Sequence, residues 1–185
     1  TDLAPLREPP AAPQVAAHNF RFSEDYDLYP SGAKTKYKNN VMAIKLLKQI
    51  ELEKRTATPE EQIILARYVG WGGLANAFSS TASGWENEYQ ELKSLLTDVE
   101  YKAAMNSTIT AYYTEPDLIR HIYRALERFG FEGGPDRKIL DPGMGTGNFY
   151  SVLPEQFQGS KLFGVELDSI TGRIAKQLYP DADIS

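Results

Sequence analysis

Asp141-Pro142-Gly143-Met144-Gly145-Thr146-Gly147-Asn148-Phe149 sets three glycines between an apolar approach, Lys138-Ile139-Leu140, and a helix expected from about Asn148. Without a Cβ, such positions let backbone approach a ligand closely. About twenty residues on, Leu162-Phe163-Gly164-Val165-Glu166-Leu167-Asp168 reads as a second strand ending in carboxylates. An α/β nucleotide fold uses that arrangement to hold a ribose. Together the two stretches point to a bound adenosine.

Outward from this pair, the pattern is βαβα. A strand at Ile139 and Leu140 is followed by the glycine bend and a helix from about Asn148, then by a strand from Leu162 to Leu167. A helix from Ser169 to Leu178 comes next, and Asp183-Ile184-Ser185 starts a third strand. This order predicts an α/β protein with a parallel sheet. Just upstream, Tyr112-Tyr113-Thr114-Glu115-Pro116-Asp117 precedes an amphipathic run through Leu118, Ile119, Ile122, Tyr123 and Leu126, with Thr114 as the expected N-cap.

The first hundred residues have a different texture. Residues 1–18 mix proline, alanine and charge without period, as an extended linker does. Phe20, Phe22, Tyr26, Leu28 and Tyr29 form an arm whose aromatics should dock on the chain downstream. From about Lys36 to Leu52, Val41, Ile44, Leu47 and Ile50 recur at helical spacing. Lys34, Lys36, Lys38, Lys45 and Lys48 accompany them, either as a solvated face or as contacts to DNA phosphates. Thr58-Pro59-Glu60-Glu61 is a capping box, and its helix should run to Gly70-Trp71-Gly72-Gly73. Trp71 either packs within its own domain or lines a cleft. Thr97-Asp98-Val99-Glu100 is a second box. Residues 19–107 therefore read as an α-helical region, and 108–185 as the sheet-bearing one.

With 185 residues and 42% apolar side chains, the chain can bury roughly two-thirds to three-quarters of its unfolded surface. A net charge of −5 gives no global attraction to DNA, although a local basic patch can supply one. There is no cysteine, so disulfides and thiolate metal sites are excluded. His18 and His121 are the two histidines. No metal site is expected, and His121 reads as structural. No apolar run reaches the length of a membrane span. The first residue is Thr1, which suggests an excised fragment.

The glycines fit a dinucleotide fingerprint poorly, because Asn148 stands where its third glycine belongs. They fit better the loop that class I methyltransferases wrap around S-adenosylmethionine, whose sulfonium and amino group favour a nearby carboxylate such as Asp141. Glu166 can accept from both ribose hydroxyls. A helix N-terminus at Thr114 can offer amides to the methionine carboxylate.

Tyr112-Tyr113-Thr114-Glu115-Pro116, Asp141 to Phe149, and Gly164-Val165-Glu166-Leu167-Asp168 resemble, in that order, the cofactor motifs of N6-adenine DNA methyltransferases. Tyr68-Val69-Gly70-Trp71-Gly72-Gly73-Leu74 and the run from Leu167 to Pro180 resemble, more narrowly, the methylase segment of large helicase-linked proteins from conjugative elements, plasmids and phages. The resemblance implies an N-terminal α-helical region followed by the first half of a Rossmann-like class I methyltransferase sheet. It implies S-adenosylmethionine as cofactor, held by Tyr113, Thr114, Asp141, Gly143, Gly145, Gly147, Asn148, Phe149, Glu166 and Leu167.

Methyl transfer to N6 of a flipped adenine in DNA is the implied reaction. DNA and the downstream methylase and helicase regions are the implied partners, in a bacterial or phage-infected cytoplasm. The family's catalytic Asp/Asn-Pro-Pro-aromatic motif is not in this chain: its one Pro-Pro, Pro9-Pro10, precedes the glycine bend and is followed by Ala11. No catalytic residue is assigned, and the chain by itself should be inactive and bind cofactor weakly or not at all. A second copy is expected to cover an open strand edge. Two alternatives stay open: a class I methyltransferase for protein, RNA or a small molecule, and a non-catalytic module that binds DNA or a helicase.

Overall fold

In the computed structural model, residues 18–29, 31–110 and 113–185 are described. The linker expected before residue 18 and Tyr112 of the upstream motif lie outside them. The described chain is a mixed α/β structure. Its helices are α1 (Ala33–Leu52), α2 (Pro59–Ala66), α3 (Glu86–Leu95), α4 (Asp98–Ser107), α5 (Pro116–Arg128), α6 (Asn148–Ser151) and α7 (Ser169–Leu178). Its strands are β1 (Lys138–Asp141), β2 (Lys161–Gly164) and β3 (Asp183–Ile184), in spatial order β1-β2-β3 and all parallel. Among the described residues no helix is long and apolar enough to cross a membrane.

Local chemistry explains most boundaries. Thr58 accepts from the Glu61 amide while Glu61 reaches back to the Thr58 amide, and Thr97 and Glu100 repeat the exchange at α4. Both expected capping boxes therefore form. The helix after Thr58 ends earlier than expected, at Ala66. Gly70 (φ 68°) and Gly73 (φ 73°) do adopt the left-handed region, but in the loop beyond it.

That loop is fastened by a buried side chain of α1. Asn40 Nδ2 donates to the Gly70 carbonyl at 2.6 Å, and the Val69 amide donates to Asn40 Oδ1 at 3.0 Å. Trp71 is buried in edge contact with Tyr37, Tyr68 and Phe78, so it packs within its own region. Three of the α1 lysines are engaged internally: Lys34 pairs with Glu88, Lys45 with Glu91 and Lys48 with Glu100. These ties to α3 and α4 give those three ammonium groups carboxylate partners within the fold.

The N-terminal arm docks as its aromatics suggested. Phe20 and Leu28 are buried, and the Phe20 amide donates to the Leu178 carbonyl at 2.7 Å. Gln62 of α2, itself buried, donates through Nε2 to the carbonyls of His18 (2.8 Å) and Gln177 (3.0 Å). One amide thus joins arm, α2 and α7.

The two halves also share a charged node. Arg173 of α7 makes a two-pronged bond to Glu51 of α1, both prongs 2.7 Å, and reaches Glu100 of α4 at 2.7 Å.

Gly147 begins α6 with φ 85°, and a Cβ there would overlap the buried ring of Tyr179, whose hydroxyl donates to the Gly147 carbonyl at 2.8 Å. Gly147→Ala should therefore cost about 2 to 4 kcal/mol, combining left-handed strain with overpacking. Urea unfolding measures this, and a loss below about 0.5 kcal/mol, the range of an ordinary surface change, would contradict the packing role.

Candidate functional site

The C-terminal ends of β1 and β2 open into a cleft of about 640 Å³, within the range of ligand pockets. The chain leaves β1 at Asp141 and turns back along the strand ends. Two bonds hold this turn to the neighbouring strand: the Met144 amide donates to the Val165 carbonyl at 3.1 Å, and the Val165 amide to the Asp141 carbonyl at 3.0 Å. Beneath it, the buried Met144 side chain fills the space that a Cβ on Gly164 would need. Gly145 takes φ 55° with Tyr113 stacked so closely that a Cβ would stand 2.8 Å from the ring. These two glycines are required by close approach; the sequence points to Gly145 for the approach of a ligand, whereas the group packed against it here is the Tyr113 ring, and Gly164 is not singled out there.

Glu166, just past the end of β2, faces this bend. One carboxylate oxygen accepts from the Gly145 amide at 2.9 Å and the other from the Asp168 amide at 2.8 Å. The acid at the tip of the second strand and the glycine bend after the first thus share one crevice. Each oxygen of an ionised carboxylate keeps a second lone pair, so Glu166 retains acceptor capacity for a ligand hydroxyl.

Asp141 is half-buried and receives one bond, from the Gly143 amide at 3.2 Å. Burial raises its pKa above the usual aspartate range, and the Gly143 amide only partly opposes that. Among the described residues no cation pairs with this carboxylate. Burial likewise pushes the Tyr113 phenol well above its ordinary range.

The cleft lining contains every residue predicted for the cofactor except Gly147: Tyr113, Thr114, Asp141, Gly143, Gly145, Asn148, Phe149, Glu166 and Leu167 all border it. Gly147 faces Tyr179 instead. Thr114 needs a second correction, because it is not the N-cap of α5. Pro116 occupies the first helical position, which makes Glu115 the cap, and the Glu115 side chain makes no capping bond. The Thr114 carbonyl instead accepts from Asn148 Nδ2 at 3.0 Å, which ties the α5 approach to the glycine bend. His121 is exposed, with Nδ1 2.7 Å from the Asp117 carbonyl, away from the cleft lining.

Several lining residues stand outside the set expected to hold the cofactor, although Asp168, Thr171, Tyr68 and Gly70 fall in stretches that carry the family resemblance. Asp168 and Thr171 belong to the start of α7, where Asp168 accepts from the Thr171 amide at 2.9 Å and so caps the helix. Tyr68 and Gly70 come from the loop after α2, and Ala103, Asn106, Ser107 and Thr110 from α4 and its last turn. Asp141, Glu166 and Asp168 are acidic, and no lysine, arginine or histidine is found among the described residues that line the space. The cleft is suited to a neutral or cationic guest, and its electrostatics oppose a phosphate.

Over 145 residues, 78% of this chain, the sequence is 25% identical to a protein of Escherichia phage P1 named "Defense against restriction protein B". The chain spans 5% of that protein's length. No protein-family model and no solved structure matches the chain.

Proposed function

We propose that the cleft is the S-adenosylmethionine site of a DNA adenine N6-methyltransferase, and that the sheet is the first part of a Rossmann-like class I methyltransferase domain. The observation that carries this reading is the pairing of Gly145 with Glu166 in a crevice lined by three acids and no basic side chain. A dinucleotide or nucleoside triphosphate would bring anionic phosphates to that floor. S-adenosylmethionine brings a sulfonium and an ammonium group.

The residues present fit that molecule part by part. Glu166 offers its spare lone pairs to the ribose hydroxyls, and Leu167, fully exposed beside it, offers an apolar surface to the adenine ring. Asp141 supplies a negative charge to the sulfonium, which in turn is the cation that its desolvated carboxylate calls for. When bound, the cofactor supplies an electrophilic methyl group. This chain orients it and balances its charge. The phage relative's name concerns defence against restriction, a setting in which modification of DNA bases is a fitting activity.

Titrating the isotope-labelled chain with S-adenosylhomocysteine, S-adenosylmethionine and NAD tests the reading. The two sulfur compounds should shift the amides of Gly143, Gly145 and Leu167, with NAD at least tenfold weaker. Tighter binding of NAD, or no response to any of the three, overturns it.

The methyl donor's affinity should also fall on acidification earlier than an ordinary aspartate would cause. Asp141 takes up its proton at a higher pH than free aspartate and then no longer attracts the sulfonium. Adenosine, which carries no positive charge, should bind with little change over the same interval.

A further inference from the structure

Two walls of the cleft come from the helices that precede the sheet. On α4 and its following turn, Ala103, Asn106, Ser107 and Thr110 recur at i, i+3, i+4 and i+7, so a single small and polar helix face looks into the space. The other wall is Tyr68, 1% exposed and yet part of the lining. A phenol so buried at the floor of a cavity normally has a hydrogen-bond partner.

Tyr68 is held from behind. Asn40 clamps the following Val69-Gly70 backbone, and the Trp71 ring packs edge-on at 6.4 Å. The Trp71 indole N–H is buried with no acceptor among the described residues. Tyr68 shares the lining of the space with Tyr113, Asp168 and Thr171, so it stands by the turn from β2 into α7. That turn also presents Glu166.

We infer that Tyr68 is a ligand-binding residue supplied by the helical half, donating its hydroxyl hydrogen to the nucleoside end of the molecule in the cleft, with the α4 face closing over it. This rests on the cleft being an S-adenosylmethionine site. A phenol that donates to the ligand keeps its oxygen lone pairs, to which the Trp71 N–H packed behind it can donate. Donor chains of this kind strengthen one another in a low-dielectric interior. The helical region then becomes part of the site and more than an appendage to it.

Tyr68→Phe removes the hydroxyl and keeps the ring, so the melting temperature checks that the fold survives. Adenosine and S-adenosylhomocysteine should both bind the variant at least fivefold more weakly than the native chain, by the same factor, because the lost contact lies at the end the two ligands share. Asn106→Leu, which crowds the α4 face, should weaken both as well. If the native chain binds and both variants bind as it does, the role of Tyr68 and α4 is wrong while the cleft reading stands. If Tyr68→Phe weakens S-adenosylhomocysteine alone, the hydroxyl serves the amino-acid end and the inference fails. If the native chain binds neither compound, both readings fall. If Tyr68→Phe does not fold, Asn106→Leu, on an exposed residue, decides between the first two outcomes.

Discussion

Arg173→Met should lower stability by about 2 to 3 kcal/mol, which for a chain of this size is roughly 5 to 10 °C in melting temperature. The guanidinium is largely shielded and serves two carboxylates at once, Glu51 by a two-pronged contact and Glu100 by a single one. Removing it leaves Glu100, whose side chain is only 10% exposed, with Lys48 as its remaining cation. A full buried-pair loss is larger, and the surviving lysine together with the partial exposure of Arg173 sets the discount. Arg173→Lys should recover only part of the loss, because an ammonium cannot make the two-pronged bond. A melting temperature within a degree of native would show that the node contributes little.

The same node predicts an acid limb. Burial pushes the Glu100 pKa up, but the Thr97 amide, Arg173 and Lys48 outweigh it and hold it down to about 2, against 4.5 for a free glutamate. A carboxylate whose folded value is depressed contributes fully above the unfolded value. Its contribution, up to about 3 kcal/mol, is lost as pH falls from about 4.5 towards 2. Denaturant midpoints across that interval measure it, and Glu100→Gln should flatten the slope.

The second large effect is at the crevice. Glu166→Gln should weaken S-adenosylhomocysteine at least tenfold and loosen the glycine bend even without ligand. A carboxylate can accept from two amides and still take ribose hydroxyls, whereas a carboxamide has one acceptor atom and presents N–H groups on the other side. Either the Gly145 or the Asp168 amide must then lose its partner. Hydrogen exchange at those two amides should accelerate in the variant while the α1 amides stay protected. Unchanged exchange at both would mean that the two bonds are not maintained in solution.

What could be read from the sequence was what short-range chemistry determines. The boxes at Thr58 and Thr97, the end of β1 at the glycine bend, and the span of α7 each depend on residues within a few positions of one another, whereas β2, expected to run to Leu167, stops at Gly164 and leaves Glu166 in the turn beyond it. Thr114 shows how a local rule misleads when a stronger one stands beside it. Threonine is a good cap, but Pro116 fixes the first helical position and hands the cap to Glu115. Helix α6 proved a single turn, ending at Ser151 before Pro154, a residue that discourages continuation.

Membership of the glycine run points Gly147 at the ligand, yet its neighbour is Tyr179, 32 positions along the chain. Tyr68 heads a stretch that carries the family resemblance, yet its place in the cleft, like that of the α4 face, is not visible in the sequence for a similar reason. Nothing near Ala103, Asn106, Ser107 and Thr110 in the chain marks them as a cavity wall, although their helical spacing and small polar character are visible. Only the packing of α4 against the rest turns that stripe towards the strand ends.

The seating of Met144 over Gly164 has a consequence for how a guest arrives. Because a buried thioether props the bend from below and a carboxylate tethers it from the side, the receptor is already shaped before anything enters. Association then forfeits little backbone entropy and need not wait for a loop to organise. Even a weak guest would meet a finished mould.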